Sequence, residues 1–327
     1  MVNFNECKLY GITNKKYLSH LLHIDLKKLK NIESYYSTSP FKKQSPNRKK
    51  IRLLYNPHSE YKKVLKRLNS LLKQITPPEY IYGGIKNRSY IMNADVHKDK
   101  EYLLCMDLRD FFPSTSDDYV YKFFKNKLCM SDDIAKICTL LTTEPLPKSD
   151  KRHLPQGYST SPYLSFLSYF DMYNGIYTVA ANAGMTFSCY YDDFTFSSST
   201  FINKSFKNTV ISIINEHGLE VNKDKTRLYK VKNKGIKITG SIIHDGKLKS
   251  PNKLQKNMYD TFQDLILIYE YEPLAINKLT TMYNKVQGLK TAIKSIEKNR
   301  DFAYIENKLD EISEFIRKSQ KKKRQSL

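Results

Sequence analysis

The chain has 327 residues, and its 55 Lys and Arg against 33 Asp and Glu give a formal net charge of +22. A chain of this length usually forms more than one core, and its hydrophobic content of 40% excludes a wholly disordered protein. The positive charge favours a polyanionic partner, most simply nucleic acid, although lysine filling polar positions is an alternative.

Several protein classes are excluded by sequence features that are missing. The longest purely aliphatic run covers residues 265–268, far short of the ~20 residues that cross a bilayer, so no membrane partner is expected. The first residues do not resemble a signal peptide. The five cysteines are scattered, which argues against a disulfide framework or a structural zinc site and fits a reducing cytoplasm. Glycine-rich phosphate loops and dinucleotide-binding turns are absent, which excludes Walker-type ATPases and Rossmann dehydrogenases.

Two helical regions and one strand are predicted in the first third of the chain. Residues 1–50 are polar, with an apolar stretch over 17–29 that predicts one or two helices. Six basic residues within 42–52 have no apolar period and predict a solvated loop or an arm on a phosphate backbone. Apolar residues at helical spacing predict a helix over 60–75, and a continuous apolar run predicts a buried strand over 102–106.

The middle of the chain predicts a small sheet with helices. Ser-Asp-Asp sequences precede two predicted helices, over 119–127 and 134–141, and are typical of N-caps. The elements that follow are predicted to be a helix over 161–183, two strands within 187–197, a helix over 203–217, strands over 219–221 and 237–243, and a helical segment from 251 to a basic tail at 317–324. Strand, helices, paired strands, helix and strand make the β-α-β-β-α-β order of a ferredoxin-like sheet, so we predict an α+β fold.

One pair of neighbouring aspartates has no helix to cap. Asp192 and Asp193 lie in a predicted strand connection between aromatic and β-branched residues, where divalent cations would relieve their repulsion; a plain polar turn is the alternative. Asp107 directly follows the predicted strand over 102–106, and if that strand lies beside the hairpin, Asp107 and Asp192 present three or four carboxylate oxygens to one point. Two Mg²⁺ ions held ~3.5–4 Å apart by shared carboxylates catalyse in-line phosphoryl transfer. Two Mg²⁺ ions, with Mn²⁺ as a possible substitute, are therefore the expected cofactors.

Four ordered blocks resemble the polymerase motifs of reverse transcriptases. Tyr-Tyr-Asp-Asp at residues 190–193 resembles their Tyr-x-Asp-Asp box, although this family usually has alanine where Tyr191 stands. Residues 107–114 are similar to the first palm motif, residues 154–162 to the Pro-Gln-Gly…Ser-Pro block, and residues 218–226 to the Gly-Leu…Asn…Lys-Thr block. Tyr158 in the second of these blocks also departs from the smaller residues usual there.

Three shorter elements resemble bacterial retron reverse transcriptases in particular. They are Asn-Ala-x-x-His at 93–97, Ile-Thr-Gly at 238–240 and Val-Gln-Gly-Leu at 286–289, and the resemblance covers roughly residues 50–300. His97 would be either a structural histidine between fingers and palm or an RNA contact, and we prefer the structural role.

The resemblance implies a right-hand polymerase with a ferredoxin-like palm sheet, helical fingers and a helical thumb. Its expected parts are an N-terminal helical and basic extension over 1–50, fingers over 51–100 with part of 115–155, a palm over 101–245, and a thumb over 246–327 that includes the basic tail.

The resemblance also assigns catalytic roles. Asp107, Asp192 and Asp193 would be the catalytic and metal-binding carboxylates, with the Leu108 carbonyl as a further metal ligand. Lys225 would lie near the β- and γ-phosphates and could protonate pyrophosphate; its alternative is a solvated lysine in a basic strand.

Five residues would contact the incoming nucleotide, and they are Phe112, Gln156, Gly157, Arg88 and Lys86. Phe112 falls at the aromatic gate that would exclude a 2′-hydroxyl, with a core aromatic as the alternative. Gln156 would touch the nucleotide, and Gly157 would let the backbone approach it. Arg88 and Lys86 are weaker candidates for the triphosphate.

Basic residues would line a groove for the RNA template and the RNA–DNA hybrid, with binding that weakens steeply as salt is added. The candidates are Lys42, Lys43, Arg48, Lys49, Lys50, Lys230, Lys232 and Lys234.

The function that the resemblance implies is that of an RNA-directed DNA polymerase of a retron in the bacterial cytoplasm. It would use dNTPs to copy part of a cognate structured non-coding RNA, priming from a guanosine 2′-hydroxyl, so that a short DNA stays joined to the RNA. Such complexes act in anti-phage defence with a separate effector protein. Two alternatives remain: a defence or abortive-infection reverse transcriptase with protein-primed or untemplated synthesis, and an RNA-binding module that keeps the polymerase fold.

Overall fold

The structure is a computed structural model, and it describes residues 2–36, 38–44, 51–146, 151–231 and 235–325. Within these ranges, no helix combines the length and the apolar composition that a membrane span requires.

The chain divides into two compact units. The first unit consists of Met1–Ser89 and Glu101–Lys230, and the second of Tyr90–Lys100 and Val231–Leu327. The predicted division into extension, fingers, palm and thumb stays a prediction.

Within the described residues, the segment before the first long strand contains five α-helices and a β-hairpin. Its elements are α1 (Lys15–Leu22), α2 (Leu26–Lys30), α3 (Ile32–Tyr35), β1 (Pro40–Gln44), β2 (Ile51–Tyr55), α4 (Ser59–Leu72) and α5 (Tyr90–Asp95). Asn14 and Asp25 cap α1 and α2 by accepting hydrogen bonds from backbone N–H groups of the first turn, which divides the apolar stretch into two helices. The predicted helix over 60–75 is confirmed by α4, whose apolar stripe is buried.

The prediction of a solvated loop over 42–52 is wrong at both ends of that range. β1 and β2 pair antiparallel, with Phe41 opposite Leu54 and Lys42 opposite Leu53. The basic run taken alone predicts a loop, but the apolar residues beside it form cross-strand pairs that stabilise the hairpin. Residues 45–50 lie outside the described part of the chain.

The sequence blocks that resemble polymerase motifs lie on the elements that follow. These are β3 (Tyr102–Asp107), α6 (Phe111–Ser114), α7 (Asp117–Lys122), α8 (Asp132–Thr142), β4 (Glu144–Pro145), β5 (Arg152–His153), α9 (Ser161–Ser168), α10 (Phe170–Asn182), β6 (Thr186–Tyr190), β7 (Asp193–Ser198), α11 (Lys204–Glu216) and β8 (Arg227–Lys230). The sheet order is β6-β7-β3-β8, with antiparallel neighbours throughout. This is the ferredoxin-like arrangement, so the predicted α+β class is confirmed.

Aromatic packing on one face of this sheet holds the strands in register. Phe187 on β6 stacks on Phe196 of β7 at 4.9 Å between ring centroids, and Phe196 meets Phe206 of α11 edge-on at 5.2 Å. Each fully buried aromatic side chain stabilises the fold by roughly 1.5–3 kcal/mol. The face opposite to these rings carries Asp107 and Asp193, so the core sets the position of the strand ends that bear the carboxylates.

Two predicted boundaries within this unit are wrong. The helix predicted over 161–183 breaks at Tyr169, whose buried ring packs against Tyr119 at 4.5 Å. The strand predicted over 219–221 forms only a bridge between Leu108 and Val221, and the paired strand is β8. The reason is that residues 220 and 222 use their backbone groups to bind the end of β3 and the residues just beyond it.

The expected N-cap bonds of the two Ser-Asp-Asp sequences are also not made. The side-chain hydroxyls of Ser116 and Ser131 accept no bond from the N–H groups of their helices, and the Ser131 hydroxyl instead donates to Asp133 at 2.6 Å. The aspartates do lie in the first turns, where their charge favours the helix dipole.

The second unit combines a small sheet with three long helices. Its remaining elements are β9 (Ile236–Ile238), β10 (Ser241–His244), β11 (Lys247–Lys249), α12 (Asn252–Tyr271), α13 (Ile276–Ile296) and α14 (Ala303–Gln325). The single strand predicted over 237–243 is two strands, because Thr239 and Gly240 turn the chain with positive φ angles of 46° and 129°. The helical prediction from residue 251 is confirmed, and the helices bury a core of their own around Phe262 and Leu309.

The Asn-Ala-x-x-His and Ile-Thr-Gly elements meet within the second unit. The Asn93 side-chain amide donates to the Thr239 hydroxyl at 3.3 Å, and that hydroxyl donates to the Tyr90 carbonyl at 3.2 Å. His97 is fully buried, and burial lowers its pKa to about 3, so the ring is neutral. Burial favours the structural role of His97 over an RNA contact.

Candidate active site

The three predicted catalytic carboxylates lie at one edge of the four-stranded sheet. Asp107 ends β3 directly opposite Asp193, the first residue of β7. Asp192 precedes Asp193 in the β6–β7 turn, and its carbonyl accepts a hydrogen bond from the Leu108 N–H at 3.0 Å. The structure therefore brings together residues that are 85 positions apart in the sequence.

This edge holds more negative charge than its surroundings stabilise. The pKa of Asp193 is raised to about 7, first by burial and then by the charges of Asp192 and Asp107. Burial is also the main cause of the raised pKa of Asp192. A bound cation would offset both effects, because an adjacent positive charge favours the ionised carboxylates.

Lys225 already supplies one positive charge. Its Nζ donates to Asp107 Oδ1 at 2.7 Å, and the lysine side chain is 52% exposed whereas the aspartate side chain is 10% exposed. Asn222 Nδ2 approaches the other oxygen of Asp107 at 3.4 Å. The sequence did not predict Asn222 as a site residue, although it lies in the same block as Lys225.

The donor set fits a hard divalent cation, since carboxylate and carbonyl oxygens are the ligands that Mg²⁺ and Mn²⁺ prefer. Among the residues that the structure describes, no three His, Cys, Asp or Glu side chains converge closely enough to hold a metal ion as they stand. The Lys225 ammonium occupies an oxygen of Asp107 that a bound metal would use.

The Gln-Gly segment is held by strand β2. The Gln156 carbonyl accepts a hydrogen bond from the Tyr55 N–H at 2.8 Å. Gly157 has φ +117°, and a Cβ there would overlap the Tyr55 carbonyl oxygen. Glycine is therefore required at this position by backbone packing, in addition to any role at the nucleotide.

Tyr158 points away from this segment into the core. Its hydroxyl donates to the buried Glu144 carboxylate and lies 3.3 Å from the Thr38 hydroxyl. Burial raises the pKa of Tyr158 far above its usual value, so the phenol stays protonated. This explains how a large residue replaces the small ones usual in this block.

The other nucleotide candidates occupy varied surroundings. Phe112 is half-buried, with its ring 5.6 Å from that of Phe111. The Arg88 guanidinium donates to the carbonyls of Pro78 and Ile81, so it holds its own loop, and Lys86 is exposed. The contacts with nucleotide stay predictions for all of them.

Three of the basic residues predicted to bind RNA lie in the described part of the chain, and they are Lys42, Lys43 and Lys230. The first two are exposed on β1, and Lys230 lies over the Tyr102 ring at 5.6 Å from its centroid. The others lie outside the described residues, and they are Arg48, Lys49, Lys50, Lys232 and Lys234.

Comparison with known families agrees with this arrangement. Residues 41–243, more than half of the chain, match the model of the reverse transcriptase (RNA-dependent DNA polymerase) family. The chain belongs to the reverse transcriptase family. The predicted right-hand polymerase class follows from this membership.

Relatives of this reverse transcriptase bear retron names. It is 31% identical over 247 residues to the Retron Se72 reverse transcriptase of Salmonella heidelberg (strain 579083-10), covering 72% of this chain and 64% of that protein. It is 30% identical over 220 residues to the Retron Ec86 reverse transcriptase of Escherichia coli, covering 65% of this chain and 64% of that protein. The predicted resemblance to retron enzymes is confirmed, and the chain spans just under two thirds of the length of these relatives.

Solved structures show more distant likenesses. A foamy viral protease-reverse transcriptase in complex with double-stranded DNA is 15% identical, with a TM-score of 0.44, covering 86% of this chain and 43% of that chain. A telomerase from Candida albicans is 13% identical, with a TM-score of 0.44, covering 88% of this chain and 61% of that chain.

Proposed function

We propose that this reverse transcriptase is the RNA-directed DNA polymerase of a retron. The observation that carries the proposal is the placement of Asp107, Asp192 and Asp193 at one edge of the sheet, with Lys225 bound to the first of them. The identity to proteins named retron reverse transcriptases supports the retron assignment.

The three aspartates and the Leu108 carbonyl would hold two Mg²⁺ ions, or Mn²⁺ in their place. When bound, the metal pair supplies the positive charge that acidifies the attacking 3′-hydroxyl and stabilises the leaving pyrophosphate. The 3′-hydroxyl would release its proton to water, its oxygen would form a bond to the α-phosphorus, and the bond from that phosphorus to the bridging oxygen of pyrophosphate would break. Lys225 is half exposed on a flexible stem, so it can leave Asp107 and donate a proton to pyrophosphate.

The remaining site residues would select and place the dNTP. Phe112 would exclude a 2′-hydroxyl, Gln156 and Gly157 would contact the nucleotide, and Lys86 would reach the triphosphate more readily than Arg88, whose guanidinium is already engaged. The basic residues named above would bind the RNA template and the RNA–DNA hybrid.

The template would be a cognate structured non-coding RNA, copied in part from a guanosine 2′-hydroxyl so that the DNA product stays joined to the RNA. The complex would act in the bacterial cytoplasm in anti-phage defence, with a separate effector protein.

The test is made on the nucleic acid that co-purifies with the enzyme expressed from its native locus. A denaturing gel is run with and without RNase, DNase and a debranching enzyme. A discrete DNA that shortens with RNase and separates from RNA on debranching supports the retron assignment. DNA without attached RNA would favour protein-primed or untemplated synthesis, and RNA that is unchanged by dNTPs and Mg²⁺ would leave only an RNA-binding role.

A matched pair of variants tests the site itself. Asp192→Asn should abolish DNA synthesis and leave RNA binding intact, because the amide cannot replace a carboxylate at the metals. Glu101→Gln changes an exposed carboxylate of the same unit that lies outside the polymerase blocks, and it should keep full activity. Synthesis by the first variant at the wild-type rate would overturn the assignment of the site.

A further inference from the structure

Tyr191 occupies a strained backbone position directly before the catalytic aspartates. It lies in the β6–β7 turn with φ +59°, a left-handed conformation that a bulky side chain rarely adopts. Such a conformation persists only where the surrounding structure enforces it. The contacts of Tyr191 therefore bear on how the turn, and with it Asp192, is held.

The side chain of Tyr191 packs on two consecutive glycines. A Cβ added to Gly83 would lie 2.6 Å from the Tyr191 backbone nitrogen and 2.9 Å from its ring. A Cβ added to Gly84 would lie 2.9 Å from the Tyr191 hydroxyl oxygen and 3.1 Å from Cε1. The ring thus fills the space that side chains at 83 and 84 would otherwise occupy.

The segment before these glycines is itself attached to the sheet. The Cys189 N–H donates to the Tyr80 carbonyl at 2.8 Å, and the Tyr82 N–H donates to the Cys189 carbonyl at 2.8 Å. Arg88 adds bonds from its guanidinium to the carbonyls at the start of this segment, including that of Ile81 at 2.6 Å. Gly83 and Gly84 therefore offer a fixed surface.

The other side of the turn is held by a buried phenol. Tyr173 on α10 is 1% exposed, and its hydroxyl donates to the Tyr191 carbonyl at 3.2 Å. The Cys189 thiol approaches the same carbonyl oxygen at 3.1 Å. Tyr191 is thereby restrained both at its side chain and at the carbonyl that joins it to Asp192.

We propose that Tyr191 is a positioning residue of the polymerase site: its ring on Gly83-Gly84 and its carbonyl on Tyr173 aim Asp192 toward Asp107. The proposal rests on the proposed function, because the aim of Asp192 matters only for metal-dependent synthesis. It also explains why tyrosine stands where this family usually has alanine, since the adjoining glycines leave room for a ring.

The test compares Tyr191→Ala, Tyr191→Phe, Gly84→Ala and the double variant Tyr191→Ala with Gly84→Ala. Gly184→Ala is the matched control, because Gly184 has φ +65°, close to the +73° of Gly84, but its Cβ would meet nothing within 4 Å. The measurements are kcat and KM for dNTP on a primed RNA template, the Kd for RNA, and Mn²⁺ binding to the purified protein followed by electron paramagnetic resonance.

Tyr191→Ala should lower kcat by roughly tenfold to a hundredfold and weaken Mn²⁺ binding, with the KM for dNTP and the Kd for RNA within about twofold, because displacement of a catalytic group by ~1 Å can cost a hundredfold. Tyr191→Phe should restore most of the rate, since the ring remains. Gly84→Ala should lower kcat because its methyl displaces the ring, and adding it to Tyr191→Ala should cost little more. Gly184→Ala should lose stability but keep kcat.

Three outcomes would overturn the proposal. They are wild-type kcat and Mn²⁺ binding in Tyr191→Ala, a raised KM for dNTP at unchanged kcat, which would indicate a substrate contact instead, and fully additive effects of the two substitutions. The Mn²⁺ titration needs no DNA synthesis. A wild-type protein that makes no DNA would therefore refute the proposed function, while the metal-binding comparison would still decide the role of Tyr191.

Discussion

Replacing Asp193 with asparagine should stabilise the metal-free protein while it abolishes DNA synthesis. In the folded chain the carboxylate is partly buried beside Asp192 and Asp107, and these causes raise its pKa from 3.8 to about 7. The ionised form is therefore costly in the native state, and a neutral amide of the same shape removes this cost. The carboxylate that DNA synthesis would require at this position therefore lowers the stability of the metal-free protein.

The magnitude follows from the two pKa values. The unfolded chain, near 3.8, releases the proton more readily than the folded chain, near 7, so ionisation of Asp193 opposes folding by about 4 kcal/mol at pH 8. Folding raises the pKa of this carboxyl, so its ionised form destabilises the native state. This unfavourable contribution to the free energy of folding shrinks as the pH falls through 7 toward 4. At pH 5 the same values give about 2 kcal/mol.

The assay is chemical denaturation of Asp193→Asn and the wild type in EDTA at pH 8 and at pH 5. The variant should be more stable by up to about 4 kcal/mol at pH 8, and this difference should be roughly halved at pH 5. Asp224→Asn, at an exposed position of the same unit, controls for the loss of one negative charge from a basic protein and should change stability little. Equal stability of wild type and Asp193→Asn at pH 8, or a difference that does not narrow at pH 5, would refute the reasoning.

Three further outcomes can be measured. Lys225→Ala should strengthen Mn²⁺ binding to the nucleotide-free protein severalfold in isothermal titration calorimetry, because the ammonium no longer competes for Asp107, and should slow synthesis; unchanged or weaker binding would contradict the competition. Gly157→Ala should lower the free energy of unfolding by about 3 kcal/mol or more in urea, because its Cβ meets the Tyr55 backbone at positive φ; a loss below about 1 kcal/mol would contradict the clash. RNA affinity should fall steeply with salt, and Lys42→Ala should reduce the slope of log Kd against log salt by about 0.7–0.9, whereas an unchanged slope would remove Lys42 from the RNA-binding surface.

Local patterns were sufficient for much of the fold. The order of strands and helices around Asp107 and Asp192 predicted the ferredoxin-like sheet, because alternation and helical spacing of apolar residues reflect which faces are buried. The motif order predicted which carboxylates lie together at one edge of the sheet, although their catalytic role stays a prediction. The helix over 60–75 and the helical segment from 251 needed no information from distant residues.

Other features depend on contacts between distant parts of the chain. The helix break at Tyr169 arises from packing against Tyr119, and no glycine or proline marks it. Residues 219–221 do not form a paired strand, and β8 pairs with β3 instead, because the backbone groups of residues 220 and 222 bind the end of β3 and the residues just beyond it.

The same distinction between local pattern and tertiary contact applies to the chemistry of the site. The sequence by itself determined the fold class, because local periodicity reflects which faces are buried, and its resemblance to a known family pointed to the carboxylates that could act. Only the tertiary structure decided that Lys225 binds Asp107, that Gly157 must be glycine, and that the Tyr191 ring rests on Gly83-Gly84. Charge coupling, steric fit and desolvation depend on distances through space between residues far apart in the chain, and no local pattern records those distances.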